Sequence, residues 1–242
     1  MPSSVAAGPA PSPRAQARSC LVTGTDTGIG KTHASVALLH ALRAQGHRAV
    51  GMKPVASGCD WIDGRWRNED ALALQAASDP RPAYDDVNPV ALPEPTAPTL
   101  AAIAAGVTVD IASLHAAHAR LAASADIVLV EGAGGWDAPL AAGLEHRDLA
   151  RHLGGAVVLV VGLRLGCLSH ARLTARAVAA DGCRLVGWIG NRIDPVFPRA
   201  DDYVGLLTDA LPAPCLGVLP FVANGVGAHD VLVLDAAWTA ML

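Results

Sequence analysis

The stretch SCLVTGTDTGIGKTHASVALLHALRAQG, residues 19–46, decides the fold of this chain. Its first six residues (19–24) are mostly apolar or β-branched and end in glycine, which predicts a short β-strand. Residues 31–46 carry valine and leucine at helical spacing, and Gly46 suits the position just after a helix. Residues 47–53, HRAVGMK, are typical of a second strand, so we expect a βαβ unit with a right-handed crossover.

The loop between the first strand and the helix, GTDTGIGKT (24–32), ends like a phosphate-binding loop but has an unusual spacing. Such loops usually read G-x-x-x-x-G-K-[ST], whereas five residues separate Gly24 from Gly30 here. A glycine-flanked loop that enters a helix points backbone N–H groups at one place, where the helix dipole also favours an anion. We therefore expect Lys31 to contact outer phosphates and Thr32 to contact magnesium, with a ligand-free tight turn as the alternative.

Strand and helix patterns alternate through the rest of the chain. Strand-length apolar runs occupy residues 126–131, 156–162, 184–190 and 215–220. Helical patterns occupy residues 70–77, 110–124, 170–182 and 202–211. This alternation predicts an α/β fold with a doubly wound, mostly parallel sheet, in which ligands bind beyond the carboxyl ends of the strands.

The composition and the net charge argue against some classes of binding partner. Of the 242 residues, 17% are charged, and a net charge of −4 without a long basic run argues against a nucleic-acid partner. Five cysteines form no C-x-x-C pair, which favours a reducing cytoplasm. No apolar run is long enough to span a bilayer, so we expect no membrane partner.

The first 18 residues differ from the rest of the chain. They are rich in Pro, Ala and Ser and contain no carboxylate, which predicts a disordered tail over 1–18. An organelle-targeting peptide is the alternative. Residues 19–242 show no linker and no internal repeat, so we expect them to form one domain.

Charged residues follow the predicted strands at the edge where ligands bind. Lys53 opens KPVASG (53–58), and we expect it to face the phosphate pocket as a second cation from a neighbouring strand end, with a surface turn as the alternative. Glu131 ends an apolar run, where a carboxylate needs a cation to stay ionised; magnesium or a salt bridge would supply one. Asp70 is either a second magnesium carboxylate or a complement to a helix dipole after an Asn68 cap.

Small and polar residues follow the other strands. Gly134 and Gly135 allow close backbone approach to a ligand. The segment 164–170, RLGCLSH, leads into a helix and is a second potential anion site. Asn191 either contacts a base or caps a turn. Together these features indicate phosphoryl transfer from ATP to a small anionic acceptor, because positioning and charge neutralisation supply most of that catalysis.

The motifs resemble those of one enzyme family, the dethiobiotin synthetases, in order and spacing from about residue 20 to 225. The matching motifs are VTGTDTGIGKT (22–32), KPVASG (53–58), RNEDALALQ (67–75), EPTAP (94–98), VEGAGGW (130–136), LGCLSHARLT (165–174) and GNRI (190–193). The resemblance implies a P-loop NTPase fold and a homodimer with sites at the subunit interface. It also implies that 7,8-diaminononanoate, CO2 and MgATP are converted into dethiobiotin, ADP and phosphate, a step of biotin synthesis.

In this family a carbamate forms on one amine of the substrate, and its oxygen attacks the γ-phosphate to give a carbamic–phosphoric anhydride. The second amine then closes the ring and expels phosphate. The resemblance implies that Lys31 and Lys53 balance the negative charge, while Thr27 and Ser57 bind the carbamate or the diamine. These four residues are the implied catalytic set.

The resemblance assigns the remaining site residues to three ligands. The nucleotide is assigned to Asp26, Gly28, Ile29, Gly30, Lys31, Thr32, Asn191 and Pro220. Magnesium is assigned to Thr32, Asp70 and Glu131. The organic substrate is assigned to Thr27, Lys53, Ser57, Gly134 and Gly135, with Gly166, Cys167, Leu168 and Tyr203 contributed by the partner subunit.

Two features of the sequence depart from the pattern of this family, and two other classes of protein are alternatives to it. Gly28 replaces an acidic residue that some family members carry, so we expect one ligand contact to be missing. A nucleotide-dependent switch of the partition or septum-site type is the alternative, but those ATPases carry an extra lysine early in the loop, and none lies between residues 24 and 30. A corrinoid-amidating enzyme is expected to need a further glutamine-hydrolysing domain. The stretch after Asn224 matches the family poorly and receives no role.

Overall fold

The computed structural model describes residues 17–222 and 231–242. The predicted tail therefore falls almost entirely outside the described residues, and the first strand begins at Arg18. In chain order the strands are β1 (Arg18–Gly24), β2 (Ala49–Met52), β3 (Val55–Ala56), β4 (Asp60–Ile62), β5 (Arg65–Arg67), β6 (Val90–Ala91), β7 (Ile127–Gly135), β8 (Pro139–Ala141), β9 (Leu144–Glu145), β10 (Ala156–Gly162), β11 (Arg184–Asn191) and β12 (Cys215–Leu219). The helices are α1 (Lys31–Ala44), α2 (Glu69–Ala77), α3 (Tyr84–Val87), α4 (Pro98–Ala105), α5 (Ile111–Ser124), α6 (His146–His152), α7 (Cys167–Ala180), α8 (Ala200–Ala210) and α9 (Ala236–Ala240).

Six strands form the central sheet, in the order β12-β11-β10-β1-β7-β2. Every neighbouring pair in this sheet is parallel, which confirms the predicted α/β class. The strands read as continuous apolar runs because helices cover both faces of the sheet; β10, for example, is buried at all of its positions. No described helix is long and apolar enough to cross a membrane.

Helices pack on both faces of the sheet and give it two apolar cores. On one face, Leu38 and Leu42 of α1 pack with Leu74 of α2 and with residues 231–242, where Leu234 and Trp238 are buried. On the other face, leucine and valine side chains of α5 and α7 pack against β7 and β10. The C-terminal residues 231–242, which sequence reasoning left without a role, therefore contribute Leu232, Leu234 and Trp238 to the core.

Two features of the sheet differ from the predictions. First, β1 and β2 are not neighbours, because β7 lies between them. The loops that carry Lys31 and Lys53 are thus separated by the strand that carries Glu131. Second, β7 does not end at Glu131 but continues to Gly135, because its glycines keep pairing with β1 after a register shift, as far as Gly24.

Sequence reasoning missed the short elements between β2 and β7 and those that follow β7. The β4–β5 hairpin closes through Asp63 and Gly64, both with positive φ. Helix α7 begins at Cys167, three residues before the predicted start at 170. Its preceding residue Gly166 has a φ of 96°, which ends the loop sharply enough for the helix to begin early.

Candidate active site

The loop between β1 and α1 is shaped by two glycines in the left-handed region, Gly28 (φ 72°) and Gly30 (φ 82°). The buried amide of Asn191, at the end of β11, donates from Nδ2 to the Ile29 carbonyl at 2.8 Å. A Cβ added at Gly30 would lie 2.1 Å from this Nδ2, whereas one added at Gly28 would meet nothing within 4 Å. Glycine at position 30 is therefore required both by φ and by the close approach of Asn191.

Replacing Gly30 by alanine is expected to lower the free energy of unfolding by about 2–4 kcal/mol, because left-handed backbone strain adds to the displacement of the Asn191 amide. Gly28→Ala is the matched control, since it carries the same kind of φ strain without the collision and should cost about 1–2 kcal/mol. Urea unfolding of both variants measures the difference. Equal losses in the two variants would show that Asn191 does not constrain the loop.

A cavity of 380 Å³ lies where the loops after β1 and β2 meet strand β7. It brings together the predicted residues Thr27, Gly28, Gly30, Lys31, Thr32, Lys53, Ser57, Asp70, Glu131 and Gly134, and adds Ala56, Asn68 and Ala133. A larger cavity of 480 Å³ lies between α1 and α2 and shares Thr32 and Asp70 with it. We take the smaller cavity as the reaction site because both lysines and the glycine loops line it.

Lys53 lies at the centre of a buried ion cluster. Its side-chain Nζ lies 2.7 Å from Glu131 Oε1 and 3.2 Å from Asp70 Oδ2, and it donates to the Gly132 carbonyl at 3.2 Å. Burial alone would lower the pKa of Lys53, but Glu131 and Asp70 more than offset it, so the pKa is raised. Lys53 therefore stays charged at neutral pH, although it is only 5% exposed.

Lys31, the first residue of α1, has a different environment. It is 7% exposed, and its Nζ donates to the Asp26 carbonyl at 3.0 Å. Burial and repulsion by Lys53 lower the pKa of Lys31 to about 8, although nearby carboxylates partly oppose the shift. No ion pair to Lys31 occurs within the described part of the chain. Its charge is therefore available to an incoming anion.

Isotopic labelling of lysine is expected to give two side-chain signals, because Lys31 and Lys53 are the only lysines in the sequence. The signal of Lys31 should titrate near pH 8 and that of Lys53 above the ordinary value of 10.5. The Lys31→Gln spectrum assigns the two signals, and NMR titration of the ligand-free protein measures them. Two signals that both titrate near 10.5 would contradict the buried geometry.

Thr32, Asp70 and Glu131 form a set of oxygen donors beside the lysines. The Thr32 hydroxyl donates to Glu131 Oε1 at 2.9 Å, and the buried Oε2 of Glu131 has no hydrogen-bond partner among the described residues. Burial opposes ionisation of Asp70, but Lys53 and Thr32 prevail, so the pKa of Asp70 is lowered. Two carboxylates, one of them with an unpartnered oxygen, and a hydroxyl suit a hard cation such as Mg²⁺. No group of three His, Cys, Asp or Glu residues that could hold a metal occurs over 17–222 and 231–242, so other oxygens would complete such a site.

Four of the predicted nucleotide residues lie outside this cavity, namely Asp26, Ile29, Asn191 and Pro220. The Asp26 carboxylate accepts from the Thr27 N–H at 2.8 Å and pairs with Arg164 at 2.6 Å, in a neighbouring cavity of 290 Å³ that Gly135 also lines. Hydrogen bonding to Thr27, with Arg164 nearby, lowers the pKa of Asp26. The Ile29 side chain is buried in the core, so only its backbone faces the loop.

Asn191 and Pro220 lie together at the ends of β11 and β12, since Asn191 pairs with Leu219. The buried Oδ1 of Asn191 has no hydrogen-bond partner among the described residues, and its Nδ2 is held by the Ile29 carbonyl. A buried acceptor without a partner can accept a hydrogen bond from a donor group on a ligand. The two residues thus lie at the carboxyl-terminal edge of the sheet, where Asn191 contacts the loop before α1.

The residues predicted to act from a partner subunit do not line the 380 Å³ cavity of their own chain. Gly166 precedes α7, Cys167 is buried at its first position, and Leu168 is partly buried beside it. Tyr203 of α8 is partly buried in the same apolar cluster and contacts the Phe197 ring at 4.8 Å. Within one chain this group therefore lies apart from the residues that line the 380 Å³ cavity.

Sequence reasoning missed two side chains that hold the site. Arg164 pairs with Asp26 across 138 positions of the chain. His146 is fully buried and contacts the backbone after Glu131. Neither has a local motif, so only the tertiary fold reveals them. The Asn68 cap, in contrast, was predicted, and its Oδ1 accepts from the Ala71 N–H at 3.2 Å.

A parallel sheet with a glycine loop and a lysine at the start of α1 defines a P-loop nucleotide-binding protein of the α/β class. A family model described as an AAA domain matches residues 18–227. An ATP-dependent dethiobiotin synthetase of Xanthomonas oryzae pv. oryzae (strain PXO99A) is 60% identical over 83% of this chain and 89% of its own length. The Xylella fastidiosa (strain 9a5c) synthetase is 60% identical over 85% and 91%, respectively. The chain belongs to the dethiobiotin synthetase family.

Two solved structures are similar in fold. A ParA family ATPase of Chlorobium tepidum TLS has a TM-score of 0.54 at 15% identity and covers 86% of each chain. The MinC:MinD complex of Aquifex aeolicus gives a TM-score of 0.53 at 16% identity, over 86% of this chain and 83% of that one. These likenesses show the P-loop α/β fold alone, so they do not favour the switch ATPase alternative.

Proposed function

We propose that this chain is an ATP- and Mg²⁺-dependent dethiobiotin synthetase. It carboxylates 7,8-diaminononanoate with CO2, closes the ureido ring and releases ADP and phosphate, a step of biotin synthesis. The observation that carries the proposal is the convergence of Lys31 and Lys53 on one cavity lined by Thr32, Asp70 and Glu131. The name of the relatives that are 60% identical to this chain supports it.

The residues that line the cavity have different proposed roles, and these follow from whether each residue is charged. Lys53 stays protonated and balances the charge of a carbamate and of the transferring phosphoryl group. Lys31 gains an anionic partner when the outer phosphates of ATP enter the cavity. The hydroxyls of Thr27 and Ser57 line the same cavity and can bind the carbamate or the diamine, while Gly134 leaves room for the substrate against the main chain.

Magnesium bound with ATP would be held by Thr32, Asp70 and Glu131, and would supply positive charge that assists departure of ADP. The loop residues Gly28 and Gly30 would cradle the phosphates. Asn191 and Pro220 would contact the adenine base, since Asn191 offers an unpartnered Oδ1. Asp26 and Ile29 would contribute through the loop backbone.

We propose a cytoplasmic homodimer in which the partner's α7 start and Tyr203 bind the substrate carboxylate. Tyr203→Phe is then expected to raise the KM of diaminononanoate several-fold and to leave the KM of ATP unchanged, because Tyr203 does not line the cavity that contains the phosphate loop. Steady-state kinetics with each substrate varied in turn measures both values. A diaminononanoate KM equal to that of wild type would remove Tyr203 from the site.

The decisive experiment incubates the purified protein with diaminononanoate, ¹³C-bicarbonate and MgATP. We expect mass spectrometry to detect dethiobiotin that carries one ¹³C atom, in an amount equal to the ADP formed. Reactions without ATP and reactions with Lys31→Gln are the controls and should give no product. ADP formation that proceeds without the diamine and yields no cyclic urea would instead indicate a switch ATPase.

A further inference from the structure

His146, the first residue of α6, is a buried side chain to which the reaction assigns no role. It is 0% exposed and packs against the segment that follows Glu131 on β7. A Cβ added at Gly132 would lie 2.6 Å from the Cδ2 atom of its ring. Glycine at position 132 is therefore what allows the imidazole to approach the backbone so closely.

Both ring nitrogens of His146 are bonded to this segment. Nε2 lies 3.0 Å from the Ala133 N–H, and Nδ1 lies 2.8 Å from the Ala138 carbonyl oxygen. A backbone N–H only donates and a carbonyl only accepts, so Nδ1 must carry the hydrogen and Nε2 must accept. The contacts thus fix the neutral ring in one tautomer.

The Ala133 N–H belongs to the same peptide unit as the Gly132 carbonyl. That carbonyl accepts a hydrogen bond from Lys53 Nζ at 3.2 Å. Because a trans peptide is planar, its N–H and C=O point in opposite directions. One rigid group therefore connects His146 on one side to the Lys53 ammonium on the other.

We propose that His146 is a positioning residue for Lys53 and acts through the Gly132–Ala133 peptide. Its ring holds the peptide plane so that the Gly132 carbonyl, with Glu131 and Asp70, fixes the Lys53 ammonium at the wall of the phosphate cavity. The effect on turnover rests on the proposed function, whereas the hydrogen-bond relay does not.

The surroundings of His146 favour the neutral imidazole, whose Nε2 accepts the hydrogen bond from Ala133. Burial lowers the pKa of His146 to about 4, and the cations Lys31 and Lys53 push it in the same direction, although the bond to the Ala138 carbonyl opposes them. A second hydrogen on Nε2 would face the Ala133 N–H and break the relay. Sequence reasoning missed His146 because its partner Ala133 lies 13 positions away.

NMR of the ligand-free protein tests the relay without any substrate. In ¹⁵N-histidine protein we expect His146 Nε2 to show the shift of a nitrogen without hydrogen and Nδ1 that of a protonated nitrogen. In labelled-lysine protein, His146→Phe should move the Lys53 signal and leave that of Lys31 in place, while His146→Gln, whose amide can accept from Ala133, should restore part of the shift. A hydrogen on Nε2, or a Lys53 signal that does not respond to His146→Phe, would overturn the proposal.

Kinetics tests the consequence for turnover. His146→Phe is expected to lower kcat about tenfold to a hundredfold, as for loss of a hydrogen bond to a charged group, with little change in the KM of ATP. In a Lys53→Met background the same substitution should cause no further loss, because Lys53 carries the effect. Equal losses in both backgrounds would show a general structural role and overturn the proposal. Absence of dethiobiotin with the wild-type protein would reject the proposed function, and the NMR result would still decide the relay.

Discussion

Replacing Lys31 by glutamine is expected to abolish turnover and at the same time to raise the free energy of unfolding at pH 7. Turnover is lost because the variant has no cation at the start of α1 to balance the outer phosphates. Stability rises because burial and Lys53 disfavour the charged form, so that folding a protonated Lys31 is unfavourable. A gain of about 1–3 kcal/mol is expected.

The direction in which the free energy of unfolding changes with pH follows from the difference in the pKa of Lys31 between the folded and the unfolded state. The pKa of Lys31 is about 8 in the folded protein and near 10.5 in the unfolded chain, so the unfolded state binds more protons between these values. The contribution of Lys31 to wild-type stability should therefore rise from pH 8 to 10.5, and the advantage of Lys31→Gln should shrink over the same range. Urea unfolding at several pH values measures this.

Arg176→Gln serves as the control for Lys31→Gln, because Arg176 is an exposed cation of α7 that lines neither the 380 Å³ nor the 290 Å³ cavity. It should leave turnover and stability near the wild-type values. The assignment of Lys31 would be wrong if Lys31→Gln formed dethiobiotin at a near-normal rate in the steady-state assay.

The fold was predictable where one local pattern determined the structure. The apolar run 156–162 is fully buried and coincides with β10, because a strand covered on both faces needs no polar positions. The order of strands was not predictable, since no local feature of β2 or β7 shows which of them pairs with β1. The prediction that β7 ends at Glu131 was wrong for a related reason. The glycines after it are poor strand formers, and only pairing with β1 keeps them extended.

The site was predictable to the extent that its residues follow strands. Lys31, Lys53 and Glu131 converge because the carboxyl ends of parallel strands meet at one edge of the sheet. The contacts that orient them depend on distant parts of the chain: Arg164 holds Asp26, and His146 holds the peptide that faces Lys53. Spacing in the sequence carries no information on such contacts, so the structure was needed to find them.

Replacing Lys53 by methionine should lower kcat by about 10³ and, unlike Lys31→Gln, should destabilise the protein. The two lysines differ because Lys53 compensates Glu131, whose carboxylate is 1% exposed. Removing one partner of a buried pair leaves an uncompensated charge, at a cost of about 3–5 kcal/mol. Circular dichroism during urea unfolding measures this loss, and single-turnover kinetics measures the rate.

The double variant Lys53→Met/Glu131→Gln separates the two effects. With both charges removed, most of the lost stability should return, because the carboxylate still left without Lys53 is Asp70, whose side chain is 35% exposed. Turnover should stay at the level of Lys53→Met or below it, since the cation and one of the proposed magnesium carboxylates are both missing. If the double variant were no more stable than Lys53→Met, the Lys53–Glu131 pair would not be what stabilises this edge of the sheet. If Lys53→Met kept turnover within tenfold of wild type, charge balance at the phosphate would have to come from Lys31 alone.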